Sequence, residues 1–302
     1  MSDTPLTWCI STHNNLDYLK LAVSSIERNG HYKDAPIIIH AENCTDGTDE
    51  WLATQNRVTA LIDHHDGPSK GIGGGANEAI SNVKTPMFSL IHSDMVISRH
   101  YDAPLVEEIE ANPYSPVVAG AWRLEPNIWN QPDRMGTTMA PPDVLNGFGM
   151  YHHDFDVTGF ENWADEFVKQ PTIRFRKVEG VSYVMKKLVW DYVGGNCVWS
   201  RPSSWDDQDL TARWDCEEYG FVITSKAVVW HFGSRGSIFM GQSDKLEGRS
   251  QRQIECEQRN VRKWLEIWGE PAKYDEVGCI IVSDAMRAKY KQNKKLYLEG
   301  KL

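Results

Sequence analysis

Short apolar runs alternate with amphipathic segments over the first third of the chain. The runs have the length and composition of buried strands and cover Leu6–Ser11, Pro36–Ala41, Val58–Asp63 and Met87–Ile91. The segments between them repeat apolar residues at helical spacing near Asp17–Asn29, Thr48–Gln55 and Ile72–Val83. This alternation predicts βαβ units with right-handed crossovers. We therefore expect an α/β fold with a mostly parallel central sheet flanked by helices.

The alternation of strand-like and helix-like segments becomes less regular beyond residue 95. Helices are predicted at Asp102–Ala111, Lys187–Val193 and Asp207–Tyr219, and strands at Val117–Trp122, Val181–Met185 and Phe221–Trp230. Ser203 or Ser204 is the expected N-cap of the helix from Asp207. The stretch Glu125–Asp156 is rich in Pro, Gly, Asn and Met and has little periodicity, which predicts a long loop.

The charge of the chain restricts its partners. The formal net charge of the 302 residues is −10, which argues against a nucleic-acid partner because a phosphate backbone requires a basic face. The segment 285–302 is the exception, with six lysine or arginine residues against Glu299 alone. Such a segment can contact an anionic membrane surface peripherally, but Leu296, Leu298 and Leu302 form only a thin apolar face. A solvated basic tail is therefore the favoured interpretation.

Cysteine usage and targeting signals indicate a reducing compartment. The six cysteines are scattered without a Cys-x-x-Cys pair, which is typical neither of a zinc ribbon nor of a disulfide framework. No apolar window is long enough to span a bilayer, and Met1–Pro5 lacks the charged and apolar regions of a signal peptide. The sequence therefore predicts a cytoplasmic location.

A His-x-Asp pair follows one of the apolar runs at the point where the predicted strand ends. His92 and Asp94 come directly after Met87–Ile91. Ligands of open α/β sheets bind outside the carboxyl ends of the strands, so both side chains are expected to face a crevice where a metal ion could bind. A simple turn is the alternative for this pair. His231, after the apolar run Lys226–Trp230, is a second candidate of the same kind.

Six segments of the chain together resemble the motifs of a known enzyme family. The segments are Trp8–Thr12, Glu42–Thr48, Gly73–Asn77, His92–Asp94, Ser204–Arg213 and Trp230–Ser237. They resemble the motifs of GT-A-fold glycosyltransferases, in particular glycosyltransferase family 2, over roughly residues 5 to 237. The resemblance implies a metal-dependent enzyme that moves a sugar from a nucleoside-diphosphate donor to an acceptor hydroxyl.

The resemblance implies a donor-binding role for residues at several strand ends. Thr12, at the end of the opening strand, would touch the nucleotide, and Glu42 would bind uracil and ribose, which favours a UDP-sugar. The glycine-rich segment would place Gly73 and Asn77 on a helix beside the nucleotide. His92 stands where the family has an acid that contacts ribose more than metal.

The cation and the diphosphate have their own expected ligands in this family. Asp94 keeps the second acid of the family's Asp-x-Asp and, with His231, would hold a divalent cation against the donor diphosphate. Imidazole tolerates Mn²⁺ better than Mg²⁺, so manganese is favoured over magnesium. Arg235 and the backbone amides of the neighbouring Gly-Ser segment would bind diphosphate oxygens.

A pair of carboxylates at a helix start supplies the expected catalytic base. Asp206 and Asp207 resemble the leading acids of the family's Glu-Asp-x-Asp-Leu-x-x-Arg signature, in which inverting members use the second acid to deprotonate the acceptor. Asp207 is therefore the expected base and Asp206 its neighbour. Asp209 and Arg213 are expected only to form an i,i+4 pair. Three nearby tryptophans are candidates for a sugar platform: Trp190, Trp199 and Trp205.

The expected organisation is one GT-A domain with an extension. Residues 1–100 would form its nucleotide-binding half, residues 101–240 its acceptor half, and residues 241–302 a C-terminal helical extension with the basic tail. The acceptor could be a carbohydrate, a lipid-linked sugar or a protein, and the transfer is expected to invert the anomeric centre.

Three other interpretations stay open at this point. A retaining transferase of the polypeptide-glycosylating type has the same fold. A non-catalytic nucleotide-sugar binder would account for the departures from the family pattern at Glu42 and His92. A His-rich metallohydrolase would use His64–His65 and His152–His153, although the chain lacks the His-Glu-x-x-His spacing of such enzymes.

Overall fold

The computed structural model describes most of the chain, with interruptions. The described residues are 4–111, 117–126, 147–175, 182–202, 204–233, 251–276 and 279–302. Arg235, Ser203 and most of the predicted long loop lie outside them.

The first third of the chain forms the predicted succession of strands and helices. Its elements are β1 Leu6–Thr12, α1 Leu16–Asn29, β2 Ile37–Glu42, α2 Thr48–Leu52, β3 Val58–Asp63, α3 Gly71–Ser81 and β4 Met87–His92. β2 is buried at every position and β1 at all but one, whereas β3 is only partly covered. The near-continuous apolar runs therefore correspond to strands covered on both faces.

The remaining elements include several that the apolar pattern does not predict. They are β5 Met95–Ile97, α4 Asp102–Glu110, β6 Val118–Leu124, α5 Val157–Phe167, β7 Arg174–Phe175, β8 Tyr183–Lys186, α6 Lys187–Val193, α7 Asp206–Cys216, β9 Phe221–His231, α8 Gln251–Trp268 and α9 Asp284–Leu298. β5 and β7 are too short to give a period of their own. α5 does carry a helical signal, because Phe160 and Ala164 are one turn apart and both buried.

Within the described residues one sheet of 9 strands runs through the molecule in the order β3-β2-β1-β4-β8-β6-β9-β5, with β7 beside β9. The strands β3, β2, β1 and β4 are mutually parallel, as the βαβ pattern predicts. β8 is antiparallel to both β4 and β6, and β9 is antiparallel to β5 and β7. The parallel half therefore matches the expectation, and the other half is mixed.

The start of α7 differs from the prediction. Trp205 precedes the helix in a left-handed conformation with φ 74°, and no side chain caps the helix there. Ser204 is also left-handed, with φ 70°, so the predicted serine cap is wrong for Ser204. Acidic residues occupy the first turn instead, where the helix dipole favours negative charge: Asp206, Asp207 and Asp209.

The C-terminal segment is a packed helix, so the prediction of a solvated tail is wrong. α9 buries Met286, Tyr290 and Tyr297 against α7 and α8, and the two tyrosines are 3% and 1% exposed. Aromatic rings bury enough apolar area to outweigh the cost of ordering a basic segment. The lysine-rich face stays towards solvent, and Lys294 lies over the Tyr192 ring at 3.6 Å from its centroid. No helix in the part of the chain described here is long and apolar enough to cross a membrane.

Candidate functional site

The carboxyl ends of the parallel strands meet at one edge of the sheet. Ser11 in β1 is in register with His40 in β2 and with His92 in β4. Thr12 and Glu42, one or two positions further along their strands, therefore lie at the same edge as His92. The three strand-end residues predicted from sequence are thus brought together by the parallel register.

A second strand pairing brings His231 to this edge. Met95 in β5 pairs with His231 at the end of β9, and the Phe232 amide donates to the Asp94 carbonyl at 3.0 Å. His231 Nε2 lies 3.4 Å from Asp94 Oδ1. One potential ligand atom from each of His92, Asp94 and His231 lies within 4.8 Å of the other two. Among the described residues this is the single group of three such side chains close enough to hold a metal ion.

Glu125 is a member of this site that the sequence motifs do not reveal. Its Oε1 lies 2.7 Å from His231 Nδ1 and 3.0 Å from Arg123 Nε. This contact fixes the imidazole ring and leaves Nε2 directed at Asp94. The signal that could have found Glu125 is its position directly after the strand β6, the same strand-end logic that identifies His92.

The electrostatics of the group suit a cation. Burial lowers the pKa of His92 to about 3, so this imidazole stays neutral and keeps a lone pair for a metal. Burial also lowers the pKa of His231, but Asp94 and Glu125 outweigh it and raise that pKa to about 9. Burial raises the pKa of Glu125, whereas Arg123 and His231 lower it to about 2. Two carboxylates thus surround His231.

The geometry and donor types of this group fit a divalent cation. Ligand bonds of about 2.2 Å allow ligand atoms up to roughly 4.4 Å apart around one ion, so the observed spacing needs only a small shift. Two imidazole nitrogens and one carboxylate, His92, His231 and Asp94, suit Mn²⁺ better than Mg²⁺, which prefers oxygen ligands.

Glu42 is held by the segment that leads into α3. Its carboxylate accepts hydrogen bonds from Ser69 Oγ at 2.8 Å, from Gly71 N at 3.3 Å and from Lys70 N, and it lies 3.0 Å from His65 Nε2. Burial raises the pKa of Glu42, but these hydrogen bonds outweigh it and hold the pKa below its ordinary value. The carboxylate is therefore ionised and fixed in direction.

Glu42 and Thr12 line one small cavity at the strand edge. The cavity has a volume of about 30 Å³ and is also lined by Ser11 and Pro202. The Thr12 hydroxyl is buried and has no hydrogen-bond partner among the described residues. A buried hydroxyl without a partner is costly, and a polar ligand in this cavity would satisfy it.

Gly73 and Asn77, both on α3, contact the loop that leads to α7. A Cβ added at Gly73 would lie 3.1 Å from Asn196 Cβ and 3.4 Å from Asp206 Oδ2. The Asn77 amide donates to the Asn196 carbonyl at 2.9 Å and accepts from the Asn196 amide at 2.8 Å. The glycine thus permits a close approach of this loop, and the asparagine fixes it.

The carboxylate pair begins α7 beside α3. Burial, and then repulsion by Asp207, raise the pKa of Asp206 to about 7. The Gln208 amide donates to Asp207 Oδ1 at 2.9 Å. At neutral pH the pair therefore carries less than its full negative charge.

The remaining sequence candidates take different positions relative to the site. Trp190 is 4% exposed and packs edge-on against Phe88, so it belongs to the core. Trp205 is half-buried directly before Asp206, with its ring 5.2 Å from that of Trp264. The histidines of the metallohydrolase alternative pair separately, His64 with Asp49, His65 with Glu42 and His152 with Asp17.

The sequence matches the model of one known protein family. A family model described as glycosyl transferase family 2 matches residues 7–167, more than half of the chain. The chain belongs to glycosyltransferase family 2. No characterised protein matches it in a sequence search of curated proteins.

Solved structures of glycosyltransferases have the same fold as this family 2 chain. S. aureus TarS aligns with a TM-score of 0.53 at 12% identity, over 86% of this chain and 42% of TarS. A TarS 1–349 complex with UDP-GlcNAc aligns with a TM-score of 0.52 at 12% identity, over 87% and 73%. GalNAc-T7 with UDP, GalNAc and Mn²⁺ aligns with a TM-score of 0.59 at 12% identity, over 97% and 56%. The chain thus spans about half the length of full TarS and GalNAc-T7, and the predicted GT-A fold is confirmed.

Proposed function

We propose that the protein transfers a sugar from a UDP-linked donor to an acceptor hydroxyl, with inversion and with the help of a divalent cation. The observation that carries the proposal is the position of α3 between two groups of polar side chains. A Cβ at Gly75 would meet Ser11 at the end of β1, and a Cβ at Gly73 would approach Asp206. Donor-binding strand ends and the carboxylate pair therefore border the same helix.

Donor binding is proposed for the strand ends. The unpartnered Thr12 hydroxyl can donate or accept a hydrogen bond, and the ionised Glu42 carboxylate can accept one from a base N–H or a ribose hydroxyl. TarS and GalNAc-T7 structures contain UDP or a UDP-sugar, which supports uridine as the base. His92 would lie near the ribose, and Gly73 and Asn77 would hold the helix beside the nucleotide.

Metal binding is proposed for Asp94 and His231, with His92 as a further ligand. A bound divalent cation, Mn²⁺ in preference to Mg²⁺, would offset the charge of the departing diphosphate. Arg235 is proposed to contact the same diphosphate oxygens from the sequence after β9. Glu125 would keep His231 oriented towards the cation.

Proton transfer is proposed for the carboxylate pair. In an in-line displacement the acceptor oxygen forms a bond to the anomeric carbon while the bond from that carbon to the diphosphate breaks. The proton of the acceptor hydroxyl passes to a carboxylate oxygen of Asp207. The raised pKa of Asp206, about 7, favours its protonated form, so Asp207 rather than Asp206 is the proposed base. In the proposed division, residues 1–100 form the nucleotide-binding half and residues 101–240 the acceptor half, from which His231 and Arg235 also serve the cation and the diphosphate.

The experiment that tests this function is a binding and turnover panel. UDP, GDP, CDP and ADP are titrated with and without Mn²⁺ while the melting temperature is followed, since a ligand of the native state raises it. We expect a Mn²⁺-dependent rise in melting temperature with UDP and not with the other three nucleotides. We also expect UDP to be released from a UDP-sugar when an acceptor is supplied. Equal shifts with all four nucleotides would contradict the role of Glu42, and binding without turnover would leave a nucleotide-sugar binder. NMR of the product anomer separates inversion from retention.

The catalytic assignment predicts the kinetics of Asp207→Asn. Loss of a general base lowers kcat by about two to four orders of magnitude. Binding of UDP and Mn²⁺ should match the parent, because their proposed ligands lie at strand ends and not on α7. Asp206→Asn is the matched variant and should retain more activity. An Asp206→Asn protein that loses activity while Asp207→Asn keeps it would assign the base to Asp206.

A further inference from the structure

Asp209 is a buried carboxylate that joins three elements of the C-terminal half. It lies on α7, one turn after Asp206, and is 0% exposed. Its Oδ2 accepts a hydrogen bond from Arg213 Nε at 2.8 Å. Its Oδ1 accepts from Trp268 Nε1 on α8 at 3.0 Å and from the Tyr297 hydroxyl on α9 at 2.7 Å. The i,i+4 pair predicted from sequence is thus the centre of a larger network.

Arg213 extends this network to a fourth helix. Its Nη1 donates to the Val193 carbonyl at the end of α6 at 2.7 Å, and its guanidinium lies 4.4 Å from the centroid of the Tyr297 ring. Arg213 is 0% exposed, like Asp209. A buried ion pair tolerates little movement, because separation of its members leaves a charge without a partner in a low-dielectric interior. The rotation and tilt of α7 are therefore fixed by its contacts with α6, α8 and α9.

The C-terminal helices also hold the loop that precedes α7. The Asn260 amide of α8 donates to the carbonyls of Ser200 at 2.9 Å and Ser204 at 3.0 Å. The Val198 amide donates to the Leu302 carbonyl oxygen at 2.9 Å. The loop before the Asp206–Asp207 pair and the helix after it are consequently both connected to α8 and to the C-terminal residues of the chain.

We infer that Asp209 is a positioning residue, and that the hydrogen bonds it accepts from Trp268 and Tyr297 set the position of the Asp206–Asp207 pair for transfer. The inference rests on the proposed function and deepens it. Trp268 and Tyr297 lie outside the residues 7–167 that match the family model. Under this inference, residues of the C-terminal helices position the proposed catalytic pair.

The network supports the carboxylate pair rather than the proposed donor ligands at the strand ends. The proposed donor ligands Thr12, Glu42 and Asp94 lie on β1, on β2 and just after β4, whereas the hydrogen-bond donors to Asp209 lie on α7, α8 and α9. A small displacement of α7 should consequently lower kcat and leave the affinity for the donor nucleotide unchanged. Displacement of a reacting group by about 1 Å can lower a rate by about a hundredfold.

Tyr297→Phe tests this inference in the full chain, because it removes one hydroxyl and keeps the ring. The matched control is Tyr290→Phe, on the same helix and 3% exposed, whose hydroxyl is not a donor to Asp209. We expect Tyr297→Phe to lower kcat by about tenfold, with the donor KM and the Kd of UDP with Mn²⁺ unchanged. Tyr290→Phe should keep the parent kcat.

The outcomes separate the inference from the proposed function. A Tyr297→Phe protein with parent kcat, or a Tyr290→Phe protein with an equal loss of kcat, would overturn the positioning role. If Tyr297→Phe does not fold, Trp268→Phe removes the other donor to Asp209 Oδ1, keeps an aromatic ring and carries the same expectation. A parent that binds UDP but never transfers a sugar overturns the proposed function and the inference together, whereas an active parent with an unaffected Tyr297→Phe overturns the inference alone.

Discussion

Asp94 is the carboxylate on which the proposed cation site depends. It is 2% exposed and contacts His231 across the crevice. Asp94→Ala should abolish the rise in melting temperature that UDP produces with Mn²⁺, because it removes the only carboxylate of the His92–Asp94–His231 group. Asp191→Ala on the surface of α6 is the control and should keep the full shift. A Mn²⁺-dependent shift that survives in Asp94→Ala would place the cation elsewhere.

Asp206 gives the folded protein a specific dependence of stability on pH. Burial and Asp207 raise its pKa from 3.8 to about 7 in the folded state. The folded state therefore binds a proton that the unfolded state releases, so this residue's contribution is full below its unfolded pKa and is lost as pH rises through the folded pKa.

Asp206→Asn should remove this dependence, since the amide does not ionise. The melting temperature of Asp206→Asn relative to the parent should rise between about pH 4 and pH 7 and stay level above that range. Thermal unfolding at several pH values measures the difference, with Asp191→Asn as the exposed control. A constant difference across this range would mean that Asp206 ionises as it does in the unfolded chain.

At the scale of elements, α3 connects the donor and acceptor parts of the proposed site. Asn77 makes two hydrogen bonds to the Asn196 backbone, so Asn77→Ala should lower the free energy of unfolding by about 2 kcal/mol. It should also reduce kcat, because the loop from Asn196 leads to Asp206. Asn82→Ala, which loses an exposed bond to Glu78 at the end of the same helix, is the control. If Asn77→Ala is as stable as the parent but binds UDP more weakly, Asn77 instead contacts the nucleotide directly.

The short strand β5 has an effect out of proportion to its length. Met95–Ile97 pairs with β9 and by that pairing sets His231 beside Asp94. A strand of three residues has no detectable period in sequence, so its existence follows only from the partner strand. The motif around His231 predicts a strand end, but the distance between His231 and Asp94 depends on this pairing.

At the scale of the whole molecule, the site combines regions that are far apart along the chain. The Trp268 and Tyr297 donors are separated from Asp209 by 59 and 88 residues. The family match ends at residue 167, whereas the carboxylate pair and the helices that hold it follow later. The carboxylate pair and its supporting helices therefore lie outside the part of the chain that the family model matches.

The sequence by itself determined the parallel half of the sheet and the residues at its strand ends. Buried strands and amphipathic helices are local patterns, and parallel register gathers Thr12, Glu42 and His92 without further information. The family motifs added Asp206 and Asp207 at a helix start, as found.

Only the tertiary structure decided how the second half completes the site. Glu125 reaches His231 across 106 residues, and Asp209 has the C-terminal helices as partners rather than Arg213 alone. The tail predicted to be solvated is packed because Tyr290 and Tyr297 are buried in an aromatic cluster. The local sequence pattern does not predict this cluster. Periodicity reports which face of an element is apolar, but the identity of the partner that covers this face is a property of the assembled fold.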